Sequence, residues 1–322
     1  MTTLHSIQQS IAHELELLNS VMKRQLATSN PLMDKVIDNY LRTKGKLIRP
    51  IIVILTAKMF SGVDDKVLAA AASVELLHNA SLIHDDIVDQ SPTRRGKPTI
   101  NAMWDNHIAV LVGDFFVTSS MQQAITTADV RIIEELCTLG KLLSLGELDQ
   151  IYNARYHTLT EDAYYRIINY KTASLFVACA RMGCYACGIA DERIDVLSRF
   201  AELLGMCFQI RDDIFDYFDD DKIGKPTGND LREGKITLPL LHVLLKLQDS
   251  EMISLSQAEI LTDNDINRLV DYAIVNGGID YAYSRMNEMR NEAVRLLTDN
   301  LPETPARDTL VELFDFVISR KN

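Results

Sequence analysis

Two acidic clusters in the chain have the residue types and the spacing of a metal site. Each follows the pattern Asp-Asp-x-x-Asp, and they are Asp85-Asp86-x-x-Asp89 and Asp212-Asp213-x-x-Asp216. In a helix the side chains i and i+4 share a face, so the first and last acids of each cluster would form a pair of parallel carboxylates. The middle acid would lie about 100° around the helix axis, at the rim of that face. Six carboxylates in one cavity would repel each other, and some would take up protons unless cations intervened.

Mg²⁺ is the cation that such clusters favour. It prefers oxygen ligands and commonly binds through one or two carboxylates together with the phosphates of a substrate. A single cluster of this kind is typical of a solvated acidic helix face. Two copies, each preceded by an apolar stretch, indicate instead a diphosphate that is bridged to the protein by metal.

Basic residues lie close to both clusters in the sequence. Arg94 and Arg95 follow the first cluster, and Lys225 and Lys235 flank a glycine-containing stretch after the second. The arginines could pair with the acids or hold the phosphate oxygens that the metals leave free. The lysines are predicted to be cationic arms that close over a bound diphosphate, with a solvated surface loop as the alternative.

A third basic group precedes a predicted helix. Pro50 suits the first turn of a helix over residues 50–60, because its missing N–H costs nothing there. Lys46 and Arg49 therefore lie close to a helix N-terminus, which is a location that favours anions.

The elements that carry these residues are predicted to be helices. Only 8 Pro and 14 Gly occur in 322 residues, and no linker or low-complexity tract divides the chain. An all-α fold in a single domain over residues 1–322 follows. The first cluster would end a helix over residues 64–88 and the second a helix over 191–218. Further helices are predicted over residues 5–27, 32–41, 104–127, 130–153, 160–188, 236–248, 264–274, 277–298 and 304–320.

Charge and composition exclude several classes of protein. The net charge of -12 argues against a nucleic-acid binder, which needs a basic face to neutralise phosphates. No stretch approaches the roughly 18 to 20 apolar residues that span a bilayer, and the N-terminus lacks the basic and apolar regions of an export signal. Of the five cysteines, Cys184 and Cys187 form a C-x-x-C pair that is predicted to be two packed thiols, and the compartment is predicted to be the reducing cytosol.

The combined motifs resemble those of the trans-isoprenyl diphosphate synthases, also called polyprenyl synthetases. The resemblance spans nearly the whole chain, and the order of its motifs is specific. The matching segments are Gly45-Lys46-Leu47-Ile48-Arg49-Pro50, Leu82-Ile83-His84-Asp85-Asp86-Ile87-Val88-Asp89, Arg94-Arg95-Gly96, Gly113-Asp114, Gly146-Glu147-Leu148-Asp149-Gln150, Lys171-Thr172, Gly205-x-x-x-Gln209-x-x-Asp212-Asp213-x-x-Asp216 and Gly224-Lys225.

The resemblance implies a fold, a reaction and partners. It implies one all-α domain of antiparallel helices around a deep central cavity, paired as a homodimer. In the implied reaction an allylic diphosphate is ionised, the double bond of isopentenyl diphosphate attacks the carbocation, and a proton is then lost. We expect Mg²⁺ as the cofactor and only transient membrane contact when the product is released.

The resemblance also implies roles for individual residues. The metal ligands would be Asp85, Asp86, Asp89, Asp212, Asp213 and Asp216, with Asp213 more often acting through water. Cations on the allylic diphosphate would be Arg94, Lys171, Lys225 and Lys235. The isopentenyl diphosphate site would comprise Lys46, Arg49, His78 and Arg95. Catalytic groups near the developing cation would be Lys171, Thr172 and Gln209.

Small residues before the first cluster bear on product length. A helix entering the cavity would place residues about one turn before Asp85 along the path of the growing chain. Ala80 and Ser81 at this point are small, whereas short-chain relatives often have aromatic residues that form a floor. Leu77 and Val74 would meet the chain next. We therefore expect a long-chain all-trans polyprenyl diphosphate, such as a precursor of a quinone side chain.

Several alternatives stay open. Another helix could form the floor, and the product would then be farnesyl or geranylgeranyl diphosphate. A class I terpene cyclase would use a different second metal motif and would lack the isopentenyl site. A noncatalytic partner subunit would commonly lack an acidic cluster, whereas both are intact here. A catalytic subunit that needs a dissimilar partner is also compatible with the sequence.

Overall fold

The computed structural model describes residues 3–41, 45–94, 96–156, 158–218 and 227–320. The predicted all-α fold is confirmed, since helices make up nearly all of the regular structure. The helices are α1 Leu4–Ser10, α2 Ala12–Gln25, α3 Pro31–Leu41, α4 Ile48–Phe60, α5 Asp65–Val88, α6 Ile100–Met103, α7 Asn106–Ile125, α8 Val130–Tyr156, α9 Glu161–Ile168, α10 Ser174–Ala186, α11 Arg193–Phe215, α12 Asn229–Arg232, α13 Leu238–Leu247, α14 Ser250–Ser256, α15 Asp263–Val275, α16 Gly278–Asn300 and α17 Pro305–Ser319. A π-helical turn, Asn169–Ala173, joins α9 to α10.

The chain packs as two compact units, each built from separated segments. The first unit comprises Met1–Gly140, Leu175–Ser198 and Leu297–Leu313, and the second comprises Lys141–Ser174, Arg199–Leu296 and Phe314–Asn322. The prediction of a single domain stays a prediction.

Helix α5 forms the core of the first unit. Asp64 caps its N-terminus by accepting a hydrogen bond from the Val67 N–H, and most residues of the helix are buried. It packs chiefly against α7, where Ser120 Oγ donates to the carbonyl oxygen of Ser73 at 2.7 Å. Gly113 of α7 lies against the His84 ring, and a Cβ at that position would lie 2.2 Å from His84 Nε2. The packing holds the C-terminal turn of α5, which carries the first acidic cluster.

In the second unit, close backbone approach brings α16 against α13. A Cβ on Gly278 would lie 2.2 Å from the carbonyl oxygen of Pro239. Tyr217 is buried just after α11, and its hydroxyl accepts a hydrogen bond from the Leu240 N–H at 3.2 Å. These contacts fix the end of α11, which carries the second acidic cluster.

The structure differs from the predicted helices in several places. The predicted helix over residues 5–27 is divided at Ile11, because Ser10 Oγ donates to the carbonyl oxygen of Ile7 and the Ile11 N–H bonds to Gln8 instead. Two short antiparallel strands, β1 Thr93–Arg94 and β2 Lys97–Pro98, follow the first cluster. Helix α14 was not predicted.

Two helices contradict the expectation about apolar length. Helices α5 and α7 are long and apolar enough to cross a membrane by length and composition alone. Most of α5 is buried inside the protein, which is the environment of a core helix, whereas less than half of α7 is buried. The sequence-based expectation missed both helices because polar residues are scattered among their apolar ones.

All five cysteines are free thiols, and burial raises the pKa of Cys184 to about 12.

Candidate active site

The first acidic cluster occupies the last turn of α5. Asp85 is half-buried and Asp89 is exposed at the C-terminal cap, so both carboxylates reach the surface of the first unit. Asp86 is buried, and its Oδ1 accepts a hydrogen bond from Arg94 Nε at 2.7 Å. Burial raises the pKa of Asp86, while the Arg94 guanidinium opposes that rise. Asp85 and Asp89 are therefore the accessible carboxylates of the first cluster, and Arg94 forms an ion pair with the buried Asp86.

The predicted isopentenyl diphosphate residues also lie in the first unit. Lys46 is exposed just before α4, and Arg49 lies in the first turn of α4 with its guanidinium 5.4 Å from the centre of the Phe176 ring. His78 is buried on α5. Two predicted site residues, Arg95 and Lys225, lie outside the described residues.

Each acid of the second cluster contacts a different part of the second unit. Asp212 pairs with Arg320, a buried residue just after α17. Asp213 is buried, and its two oxygens accept hydrogen bonds from Tyr164 and Gln209. Burial raises the pKa of Asp213 to about 7.

Asp216 holds the segment that leads into α12. Its Oδ1 accepts from the Asn229 N–H at 3.0 Å and its Oδ2 from the Asp230 N–H at 2.9 Å. Its carbonyl oxygen accepts from the Gly228 N–H at 2.8 Å. This acid therefore fixes the backbone that leads to Lys235.

Arg320 is built firmly into the second unit. Its guanidinium lies 4.2 Å from the centre of the Phe208 ring and 5.5 Å from that of Phe215. Its carbonyl oxygen accepts hydrogen bonds from Arg211 Nε at 3.2 Å and from Nη2 at 2.7 Å. The pKa of Arg320 is lowered by burial, which Asp212 opposes.

A cavity of about 160 Å³ in the second unit brings several predicted residues together. Its walls combine acids, lysines, hydroxyls and apolar side chains. The lining residues are Gln150, Asn153, Ala154, Tyr164, Ile167, Ile168, Lys171, Thr172, Gln209, Asp213, Asp230, Lys235, Ile236 and Thr237. The cavity therefore offers both cations and oxygen acceptors. This combination suits a substrate that separates into a cation and an anion as it reacts.

The π-helical turn presents Lys171 and Thr172 to this cavity. Lys171 Nζ pairs with Glu147 Oε2 at 2.5 Å and donates to Gln150 Oε1 at 3.2 Å, both on α8. Thr172 Oγ1 donates to Gln209 Oε1 at 2.8 Å. Gly146 allows the turn to lie against α8, because a Cβ there would be 2.7 Å from the backbone nitrogen of Lys171. π-helical turns within helices are frequent at functional sites.

Four contributors to the site were missed from sequence. Tyr164 and Asp230 line the cavity, Glu147 pairs with Lys171, and Arg320 pairs with Asp212. Burial raises the pKa of Asp230 well above its usual range, and the nearby Asp213 adds to the rise. Two of them had a usable signal: Tyr164 precedes Lys171 by seven residues, which is two helical turns, and Glu147 stands in one of the matching segments.

The predicted chain-length residues differ in accessibility. Ser81 keeps part of its surface accessible, and its Oγ donates to the carbonyl oxygen of His78 at 2.9 Å. Leu77 retains 8% of its surface, whereas Ala80 and Val74 retain none. Ser81 is also exactly four residues before Asp85, so the two side chains share a face of α5.

The family of the chain follows from comparison with known sequences. The sequence profile of the polyprenyl synthetase family matches residues 30–273. The chain belongs to the polyprenyl synthetase family. Members of this family are trans-prenyltransferases with the all-α isoprenoid synthase fold.

Individual relatives cover almost the whole chain. Octaprenyl diphosphate synthase of Escherichia coli K12 is 32% identical over 98% of this chain and 99% of its own length. The crystal structure of a decaprenyl diphosphate synthase from Rhodobacter capsulatus superposes with a TM-score of 0.92 at 30% identity, covering 98% of each chain. That of a geranylgeranyl pyrophosphate synthase from Bacteroides thetaiotaomicron superposes with a TM-score of 0.85 at 36% identity, also covering 98% of each chain.

The donor set of this polyprenyl synthetase fits Mg²⁺. Within the described residues, no three His, Cys, Asp or Glu side chains come together as a ready-made metal cage. The acids of the first cluster instead reach the surface as a pair of hard oxygen donors. This is the manner in which Mg²⁺ binds proteins, through one or two carboxylates with substrate phosphates completing its shell.

Proposed function

We propose that this protein is a Mg²⁺-dependent synthase that condenses isopentenyl diphosphate with an allylic diphosphate and repeats the step to a long-chain all-trans polyprenyl diphosphate. The observation that carries the reaction is the second-unit cavity, where Lys171, Thr172 and Gln209 meet. The proposed metal ligands are the acids of the two clusters, with Asp213 acting indirectly because its side chain is buried, whereas Asp212 and Asp216 are half-buried.

The chain's own residues would act on charge at both ends of the breaking bond. When bound, Mg²⁺ would neutralise the negative charge that builds on the leaving diphosphate. Lys171 and Lys235 line the cavity and would donate to diphosphate oxygens. Thr172 uses its proton on Gln209, so its lone pairs are left for a carbocation. No protein nucleophile is required, and the released diphosphate can accept the final proton.

The isopentenyl diphosphate site is proposed to use Lys46, Arg49 and His78 together with Arg95. The described members belong to the first unit, and Arg49 lies in the first turn of α4, where backbone N–H groups also favour an anion. This substrate would thus be held by cations of the protein without metal.

The proposal of a long-chain product rests on the position of Ser81. This small residue lies one turn before Asp85 on the same face of α5 and keeps accessible surface. The growing chain would therefore pass Ser81 and then Leu77. The buried Ala80 and Val74 would meet it only after neighbouring side chains move.

A geranylgeranyl product is the second candidate. It is favoured by the 36% identity to a geranylgeranyl pyrophosphate synthase from Bacteroides thetaiotaomicron. Incubating the purified chain with Mg²⁺, isopentenyl diphosphate and farnesyl diphosphate, and sizing the products by chromatography, separates the candidates. We expect products longer than geranylgeranyl diphosphate. Products that stop there would support the short-chain enzyme, no elongation would support a subunit that needs a partner, and a cyclic hydrocarbon would support a cyclase.

We further propose a cytoplasmic homodimer. Helix α7 exposes an apolar stripe, formed by Val110, Leu111, Met121 and Ile125, which would be costly to leave in water. The free state of all five cysteines fits a reducing compartment. Sedimentation equilibrium of the purified chain tests the dimer, and a monomer at micromolar concentration would contradict it.

A further inference from the structure

Tyr164 on α9 contacts the second acidic cluster from inside the protein. Its side chain is buried, and its hydroxyl donates to Asp213 Oδ2 at 2.6 Å. The other oxygen of Asp213 accepts from Gln209 Nε2 at 2.8 Å. The distance from the Tyr164 hydroxyl lies at the short end of the range for O–H···O hydrogen bonds.

A hydrogen-bond chain runs from Tyr164 to the cavity. Both oxygens of Asp213 act as acceptors, one from the Tyr164 hydroxyl and one from Gln209 Nε2, so Gln209 presents its NH₂ group to this acid. The carbonyl oxygen of Gln209 then faces Thr172, whose single hydroxyl proton it accepts at 2.8 Å. As a result, Thr172 has only lone pairs left to offer to the cavity that it lines.

This order has a direct electrostatic consequence. Oxygen lone pairs that are fixed in place stabilise a positive charge more than dipoles that must reorient during the reaction. If Gln209 were reversed, its NH₂ group would face Thr172, and the Thr172 proton would be released towards the cavity. The direction of the chain is therefore set by Asp213, and Asp213 is held in place by Tyr164.

We infer that Tyr164 is a positioning residue for the prenyl transfer, which acts through Asp213 and Gln209 so that Thr172 presents oxygen lone pairs to the allylic carbocation. This inference rests on the proposed function. It assigns Asp213 to the orientation of polar groups and leaves the metal to other acids.

The neighbouring Tyr165 supplies a matched control. Its ring makes an edge contact with Tyr164 at 5.4 Å between centroids, and its hydroxyl accepts from Arg285 Nε at 3.4 Å. Tyr165→Phe thus removes a hydroxyl from the same helix and from an adjoining ring, but leaves the hydrogen bonds of Asp213 in place.

The experiment compares Tyr164→Phe, Tyr165→Phe and the unaltered chain. Single-turnover rates and the KM of each substrate are measured with farnesyl and isopentenyl diphosphates, and calorimetry gives the affinity for inorganic diphosphate with Mg²⁺. For Tyr164→Phe we expect the turnover rate to fall about tenfold, the effect of losing one hydrogen bond to a buried group. Its KM values and its affinity for diphosphate should stay within about twofold of the unaltered chain. Tyr165→Phe should leave all three quantities within that range.

Two results would overturn the inference. One is an unchanged rate for Tyr164→Phe. The other is a loss of affinity for Mg²⁺ and diphosphate that parallels the loss of rate, which would make Asp213 a metal ligand. If Tyr164→Phe does not fold, Asp213→Asn, which preserves shape, gives a second test, because its rate should fall by a larger factor than its affinity for diphosphate with Mg²⁺, and equal losses would contradict the inference.

Failure of the proposed function has a different signature. In that case the unaltered chain makes no elongated product from any allylic diphosphate. An active unaltered chain with an equally active Tyr164→Phe variant contradicts the inference alone.

Discussion

Gly146→Ala tests whether the contact between α8 and the π-helical turn positions the catalytic residues. The added Cβ would lie 2.7 Å from the backbone nitrogen of Lys171 and 3.0 Å from the carbonyl carbon of Tyr170. Ordinary contact begins near 3.4 Å, so α8 and the turn would have to separate by about 0.7 Å. Backbone atoms cannot rotate away as a side chain can, and Lys171 and Thr172 would therefore move.

The effect on stability has two opposing parts. Overpacking costs about 1–3 kcal/mol, whereas Ala in place of Gly inside a helix gains about 1 kcal/mol. Gly140 on the same helix isolates the second part, because a Cβ there would meet no described atom outside its local helix within 4 Å. Urea denaturation should therefore show Gly140→Ala to be about 1–3 kcal/mol more stable than Gly146→Ala.

The effect on turnover is the sharper measurement. A displacement of about 1 Å at catalytic groups can cost about 100-fold in rate. For Gly146→Ala we expect single-turnover elongation to slow by about tenfold or more, while Gly140→Ala keeps the rate of the unaltered chain. Equal rates for the two variants, with both folded by circular dichroism, would refute the idea that the close approach positions Lys171 and Thr172.

Three further outcomes are expected. Ser81→Phe should shorten the products, since the ring would block the proposed path, and an unchanged length distribution on chromatography would exclude that path. EDTA should abolish elongation and Mg²⁺ should restore it, whereas full activity in EDTA would contradict the metal proposal. Asp85→Asn should raise the Mg²⁺ concentration needed for half the maximal rate by about tenfold or more, equivalent to about 1.4 kcal/mol. Hydrogen bonds from Arg131 and Lys66 hold the pKa of Asp129 well below its usual range. Ionised Asp129 therefore stabilises the fold at pH values above its unfolded pKa of about 4, and this stabilisation is lost as the pH falls through the lower pKa of the folded state. Asp129→Asn should therefore lower the free energy of unfolding by about 1–3 kcal/mol at pH 7, with a smaller difference below pH 4, and a difference that does not depend on pH would refute the pairing.

Local periodicity was sufficient to predict the helices and the spacing of the acids. Asp85 and Asp89 share a face because the helix repeats every 3.6 residues, and no distant contact is needed to establish that. The π-helical turn was beyond this reasoning, because its close contact with Gly146 involves another helix. Local reasoning also missed the break at Ile11, where a serine hydroxyl competes for one carbonyl oxygen.

The partners of the acids depend on distant parts of the chain. Tyr164 reaches Asp213 across 49 positions and Arg320 reaches Asp212 across 108. Spacing within a motif carries no information about such contacts, since they arise from the packing of helices that are far apart in sequence. The motif therefore identified the acids, whereas their partners Tyr164 and Arg320 could not be inferred from it.

The contact between Arg320 and Asp212 has a practical consequence for work with this protein. Ending the chain at Ser319 would remove the carbonyl oxygen that Arg211 binds as well as the guanidinium beside Asp212. Affinity tags and immobilisation chemistry are therefore better kept away from Arg320. A preparation tagged after Arg320 could show altered metal requirements that originate in the handling of the protein.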